Sequence, residues 1–222
     1  MTQAIGVLGS GDVAQTLAAG FRRHGHDVMI GSRTPEKLAA FAQAHPGVTT
    51  GDFAQTAAFG RLLVLAVKGA VAEQVIQQLG PGPLVGKVII DVTNPIADEA
   101  PQNGVLRYFT GANESLMERL QAAAPRARFV KAFNSVGAPF MVNPQFPGGR
   151  PTMFYCGNDA SAKQEVARLL TQFGWEGEDA GMVESARPIE ALCQLWCAPG
   201  FLRNEWSHAF HLRRMAPVGA GS

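Results

Sequence analysis

The stretch from Ile5 to Leu38 reads IGVLGSGDVAQTLAAGFRRHGHDVMIGSRTPEKL. An apolar run leads into Gly9, Gly11 and Ala14 in G-x-G-x-x-A spacing, an amphipathic run follows, and a second apolar run ends at Ser32-Arg33. Alone, that spacing fits an ordinary glycine turn as well as a ligand loop. Here an apolar strand precedes Gly9, a helix opens near Asp12 and another strand closes the unit, so the stretch reads as a βαβ nucleotide clasp. Gly9 permits the tight turn, Gly11 lets the backbone approach a pyrophosphate, and Ala14 lets the helix pack closely on the strand. The helix N-terminus offers free N–H groups and a partial positive charge to phosphates.

The end of the second strand chooses between dinucleotides. NAD enzymes place an acid there, about 20 residues past the first glycine, to bond the ribose 2′-hydroxyl. In GSRTPEK the strand end carries no acid. Arg33 supplies a planar fork suited to phosphate, Ser32 a hydroxyl, and Lys37 a second cation one helical turn later, with Thr34 and Pro35 opening a helix as cap and first residue. The pattern selects NADP(H) through its 2′-phosphate; the competing reading is that Arg33 and Lys37 are solvated surface charges.

Outward from the clasp, Val- and Ile-rich runs alternate with amphipathic ones. Helices are expected at Val13–His24, Pro35–Ala44, Asp52–Ala58, Ala70–Leu79, Ser115–Ala123 and Ala160–Phe173. Strands are expected at VTT, RLLVLAV, KVIIDVT, RFVKAF, TMFYCG and Trp175–Asp179. Leu62–Val67 and Val88–Val92 are apolar at nearly every position, as parallel strands covered on both faces are. The fold class is therefore α/β: a Rossmann-type, doubly wound, mostly parallel sheet with a C-terminal strand-helix extension. A dinucleotide-binding domain is expected over 1–134 and a smaller part packed on it over 135–222, completing the acceptor site. The last helical segment, about Ser185 to Arg214, is expected to break in two at Pro199-Gly200, and the tail from about 216 to be unstructured. Trp196, Phe201, Trp206 and Phe210 in that segment fit a pocket roof, a dimer face or a core contact equally well.

Hydrophobic residues make up 46% of the 222, charged residues 17%, and the formal net charge is +1. Such a balance gives no global attraction to nucleic acid or anionic lipid, so neither is expected as a partner. The start, MTQAIGVLGS, lacks a basic segment ahead of an apolar core, and no apolar run approaches the roughly 20 residues of a membrane helix; a soluble, cytoplasmic protein is expected. Cys156, Cys193 and Cys197 are expected to be reduced thiols. Cys193 and Cys197 with His208 and His211 could be drawn as a zinc site, but thiols in mid-helix among Leu and Trp read as packing, and no metal is expected.

The clasp, GSR, VKAFN and FYCGNDASAKQEV together resemble the NADP oxidoreductases that use the deazaflavin coenzyme F420, and equally the cytosolic oxidoreductase domain of the six-transmembrane epithelial metalloreductases. The likeness runs from Ile5 to about Arg214. It implies that Ser32, Arg33 and Lys37 hold the 2′-phosphate, while Ser10, Asp12 and Val13 line the pyrophosphate and ribose beside Gly9 and Gly11. It further implies that Ala66, Val67 and Lys68, with the turn at Asn94-Pro95, lie along the nicotinamide, and that Ala138 meets the carboxamide through its backbone. Where archaeal deazaflavin enzymes carry a histidine that touches the deazaflavin, this chain has Asn134, as the flavin-using metalloreductases do. The implied acceptor is a flavin (FAD or FMN) or F420, with onward ferric reduction as an extension, and a homodimer is implied. The haem-bearing membrane module of the metalloreductases is expected to be absent.

Hydride passes directly between stacked rings, so such an enzyme needs position and exclusion of water more than reactive side chains, and no residue is singled out as an acid or base. Asn134 and Ser135, at the end of a strand, are the groups expected to orient the acceptor; a plain turn at Asn134 is the alternative. Two other functions share the clasp: reduction of a small carbonyl or imine, and a non-catalytic NADP(H)-binding redox sensor.

Overall fold

The protein is described by a computed structural model covering residues 2–215; the tail expected to be unstructured lies outside the described residues. Strands β1 (Ala4–Leu8), β2 (Asp27–Gly31), β3 (Val48–Gly51), β4 (Leu62–Leu65), β5 (Val88–Asp91) and β6 (Arg128–Lys131) form one sheet in the order β3-β2-β1-β4-β5-β6. All five pairings are parallel. Every residue of β4 and β5 is buried, which explains why those strands do not alternate polar with apolar. Helices α1 (Asp12–Arg23), α2 (Ala39–Ala44), α3 (Phe53–Phe59), α4 (Gly69–Leu79) and α5 (Leu116–Ala123) form the connections. The order reverses between β1 and β4, which opens a crevice at their C-terminal ends.

The remainder is β7 (Thr152–Tyr155), α6 (Ala160–Gln172), β8 (Glu176–Asp179) and α7 (Ala186–Arg203). β7 and β8 form a separate parallel pair, tied to the main sheet by an antiparallel bridge between Cys156 and Lys131. Two apolar layers result. One joins α1 and α6 to the sheet through Phe21, Phe133, Phe173 and Trp175; the other joins α4, α5 and the start of α7 through Ile76, Leu120 and Ile189. Residues beyond 134 thus contribute to both layers, rather than forming a core of their own.

Two expectations about the helices fail. Residues Pro35–Leu38 form a 3₁₀ turn before α2, where one continuous helix was expected. The final helix runs through Pro199 to Arg203 without breaking at Pro199-Gly200, and residues 204–215 are not helical. Gly200, inside the helix, leaves the space that the Trp206 ring occupies: a Cβ there would stand 2.3 Å from the indole ring. The helix stops at Asn204, which is left-handed (φ 54°) and whose N–H reaches the Gly200 carbonyl. The chain then returns along β7, where the Thr152 N–H donates to the Phe210 carbonyl and the Leu212 N–H to Thr152 Oγ1. Those bonds satisfy the backbone that a longer helix would have satisfied internally. Of the four aromatics left open by the sequence, Trp196 is a buried intramolecular contact, 4.9 Å from His208 in a stacked arrangement, while Phe201 is 44% exposed.

Candidate functional site

At the end of β1 the chain turns at Gly9 with φ +142°, and a Cβ there would sit 2.2 Å from the Ala66 carbonyl oxygen. Only glycine allows β1 and β4 to approach so closely while turning this way. Gly11 differs: a Cβ built on it meets nothing within 4 Å, and it stands at the N-cap of α1, which has no side-chain cap. A helix N-terminus is thereby left open to a ligand.

At the end of β2, Ser32 is buried, and its Oγ accepts from the Thr34 N–H (3.1 Å) and donates to Ser10 Oγ (3.4 Å). Arg33 and Lys37 are exposed, and neither enters an ion pair among the described residues. Two cations without a counter-ion therefore stand over the crevice.

A cavity of about 560 Å³ occupies the switch point. Its wall includes Gly9, Ser10, Gly11, Asp12 and Val13 from the first turn, Ser32, Arg33 and Lys37 from the second, and Ala66, Val67 and Lys68 after β4. Eleven expected residues thus meet around one space. Six further residues line it that the sequence did not indicate: Thr34, Phe53, Val71, Gln74, Val75 and Gln78. The α4 residues recur at helical spacing, but a Gln at positions 74 and 78 has the spacing of an ordinary solvated face, which hid their place at the cavity.

Asn94, Pro95, Asn134, Ser135 and Ala138 do not line this cavity. They lie beyond it, at and after the ends of β5 and β6. Asn94 and Asn134 bond reciprocally: Asn94 Nδ2 donates to the Asn134 carbonyl (2.9 Å) and Asn134 Nδ2 to Asn94 Oδ1 (3.0 Å). Asn134 Nδ2 also donates to the Ile189 carbonyl of α7 (2.8 Å). The chain reaches Asn134 through Phe133, a bulky residue held left-handed at φ 63°, a conformation that surrounding packing must enforce. Gly69, opening α4, lies so close to the Asn94 carbonyl that a Cβ would overlap it at 1.9 Å, which pins the two loops together. Ala138 opens a 3₁₀ turn after Gly137, on which the Trp196 ring rests.

Beneath these loops lies a charge cluster that the sequence did not reveal. Lys131, Asp91 and Glu190 are all buried, with Lys131 Nζ 2.7 Å from Asp91 Oδ2 and 2.8 Å from Glu190 Oε1. The ammonium also donates to the Thr93 carbonyl (2.8 Å). Glu190 in turn accepts the first free N–H groups of α5, from Leu116 (2.9 Å) and Met117 (3.1 Å). Burial pushes the Lys131 pKa down, but the two carboxylates more than reverse it and hold it above its ordinary value. The sequence signals were three lone charges inside apolar runs, Asp91 in VIIDV, Lys131 in FVKAF and Glu190 in PIEALCQLW, with nothing to show that they meet.

The sequence profile of the family described as NADP oxidoreductase, coenzyme F420-dependent, matches residues 4–95. Metalloreductase STEAP2 of Homo sapiens is 30% identical over 200 residues, covering 88% of this chain and 37% of that protein. Metalloreductase STEAP3 of Rattus norvegicus is 29% identical, covering 85% and 36%. The chain therefore spans a little over a third of the length of these curated relatives. A crystal structure of a candidate F420-dependent NADP-reductase from Arthrobacter sp. FB24 superimposes with a TM-score of 0.89 at 33% identity, covering 96% of this chain and 100% of that one. A reductive aminase from Aspergillus terreus, at 20% identity and a TM-score of 0.66, shares the fold. With a full-length structural relative at this identity and the family profile lying on the clasp itself, the chain belongs to the family of coenzyme F420-dependent NADP oxidoreductases.

Proposed function

We propose that this protein is an NADPH-dependent reductase that passes a hydride to the ring of a flavin or a deazaflavin. The observation that carries the reading is the cavity at the switch point, where Gly11 leaves open space at an uncapped helix N-terminus and Arg33 and Lys37 stand without counter-ions beside Ser32. These residues fit a dinucleotide phosphate: the α1 N-terminus takes the pyrophosphate, and Ser32, Arg33 and Lys37 take the 2′-phosphate. Phe53, Gln74 and Gln78 offer a flat apolar surface and amide groups suited to the adenine.

When bound, NADPH supplies the hydride. The chain's own contribution is position: Asn94 and Asn134 fix the ends of β5 and β6, and Ser135 and Ala138 continue the surface on which two rings would stack. The name borne by the Arthrobacter structure supports a deazaflavin acceptor, and those of the two metalloreductases support a reductase whose electrons pass on to a metal. A homodimer belongs to the same reading.

The test mixes purified protein with NADPH under anaerobic conditions, with FAD, FMN and F420 offered in parallel and NADH as control. Oxidation by one ring acceptor, with NADPH far better than NADH, is expected. Tight NADPH binding without oxidation by any of the three would transfer the reading to a redox sensor or to a small carbonyl or imine substrate.

A further inference from the structure

We propose that Lys131 is a positioning residue, which holds the Asn134 amide in one orientation so that its oxygen is left to accept an N–H from a bound ring or carboxamide. The inference rests on the reductase reading above. The orientation of that amide follows from its partners. The Ile189 carbonyl can only accept, so the atom facing it is Nδ2, and that nitrogen has spent both hydrogens, on Ile189 and on Asn94 Oδ1. Asn134 Oδ1 is left buried and without a hydrogen-bond partner. A buried acceptor without a donor is costly unless a ligand or water completes it, and an amide or imide N–H is the complementary group.

Lys131 gathers the segments that carry both partners of Asn134. Its Nζ contacts Asp91 at the end of β5 and the Thr93 carbonyl, the residue before Asn94. It also contacts Glu190, the residue after Ile189. Thr93 is fastened a second time, its N–H and Oγ1 donating to Asp91 Oδ1 at 2.9 and 2.7 Å. One ammonium therefore registers the β5 loop against α7, and Asn134 spans the gap between them. Lys131 is itself only three residues before Asn134 on the same chain, and the left-handed turn at Phe133 lies between.

The experiment compares wild type with Lys131→Met and Glu190→Gln. Uniformly ¹⁵N-labelled protein reports the Asn134 side-chain NH₂ pair, identified by its loss in Asn134→Ser, and its exchange with deuterium is followed. We expect slow exchange in wild type and exchange faster by about tenfold or more in the variants, with kcat lower by about tenfold to a hundredfold while the Kd for NADPH moves less than about threefold. If Lys131→Met does not fold, since it leaves two buried carboxylates facing each other, Glu190→Gln carries the test. Unchanged NH₂ exchange and kcat in a folded variant would overturn the proposal. So would losses of kcat, NADPH affinity and folding midpoint in step, which mark a plain structural brace.

The donor is located with Asn134→Leu. Weaker binding of NADPH, but not of its 3-acetylpyridine analogue, which lacks the carboxamide N–H, assigns it to the nicotinamide; a raised acceptor KM with both assigns it to the acceptor ring. No change in either removes the role of Oδ1. If wild type oxidises NADPH with none of the ring acceptors, the reductase reading fails, whereas the NH₂ exchange still reads the Lys131 frame.

Discussion

Arg33 and Lys37 have no carboxylate within ion-pair distance among the described residues, so a phosphate brought to them displaces water and no existing partner. A charge-assisted contact contributes about 1.5–3 kcal/mol, so Arg33→Ala should weaken NADPH by roughly tenfold to a hundredfold and leave NADH nearly unchanged, as calorimetric titration of both will show. Equal losses for the two cofactors would count against the 2′-phosphate site. The two clasp glycines separate fold from binding. Gly9→Ala drives a Cβ onto the Ala66 carbonyl in a backbone conformation that side chains rarely adopt, so the urea midpoint should fall steeply. Gly11→Ala adds a methyl where nothing stands within 4 Å, at φ −79°, so the midpoint should hold while affinity for both dinucleotides drops. A stable Gly9→Ala, or a Gly11→Ala with full affinity, would show that the clasp works otherwise.

Helix α5 shows how an element is held by its ends. Ser115 forms a capping box with Glu118, its Oγ accepting the Glu118 N–H at 3.1 Å while the Ser115 N–H donates to Glu118 Oε2 at 2.7 Å. Arg187 of α7 grips the same carboxylate. The Arg187 hydrogen bonds, helped by Ser115, hold the Glu118 carboxyl below its ordinary value of 4.5 despite partial burial. A depressed carboxylate stabilises the fold fully above that value and loses the effect as pH falls through the folded pKa. The stability difference between wild type and Glu118→Gln should therefore be constant near neutrality and shrink below about pH 4.5, read as urea midpoints across pH. A difference that persists unchanged to pH 2 would contradict it. Elements like this were legible in the sequence because their signals are local: the amphipathic period of Ser115–Ala123, or continuous apolar strands such as Leu62–Leu65. The Lys131 cluster was not, because Asp91 and Glu190 lie 40 residues before and 59 after Lys131, and only the fold unites them. The course of α7 was misread because Pro199-Gly200 is a local breaker signal, whereas the helix runs through it and ends at the left-handed Asn204.

At the scale of the molecule, the crevice is assembled from three separate turns, so a ligand seated there bridges β1, β2 and β4 and can stabilise the fold only by binding the native state. Mass action gives the size of that effect. At a free concentration of about 100 times Kd, one bound dinucleotide adds about 2.7 kcal/mol. For a chain of this length each kcal/mol raises the midpoint by about 2–4 °C, so saturating NADPH should raise Tm by about 5–10 °C. The same concentration of NADH should raise it far less. In Arg33→Ala, where binding is weaker by roughly tenfold or more, the NADPH shift should drop to about half or below, while the ligand-free Tm stays within a degree or two because Arg33 is exposed and makes no side-chain bond among the described residues. Calorimetric scans of the two proteins with each cofactor give all four shifts. A large NADPH shift that survives in Arg33→Ala would show that the α1 N-terminus, with Ser32 and Lys37, carries the binding energy without Arg33. Shifts equal for NADPH and NADH in wild type would mean that Ser32, Arg33 and Lys37 do not read the phosphate.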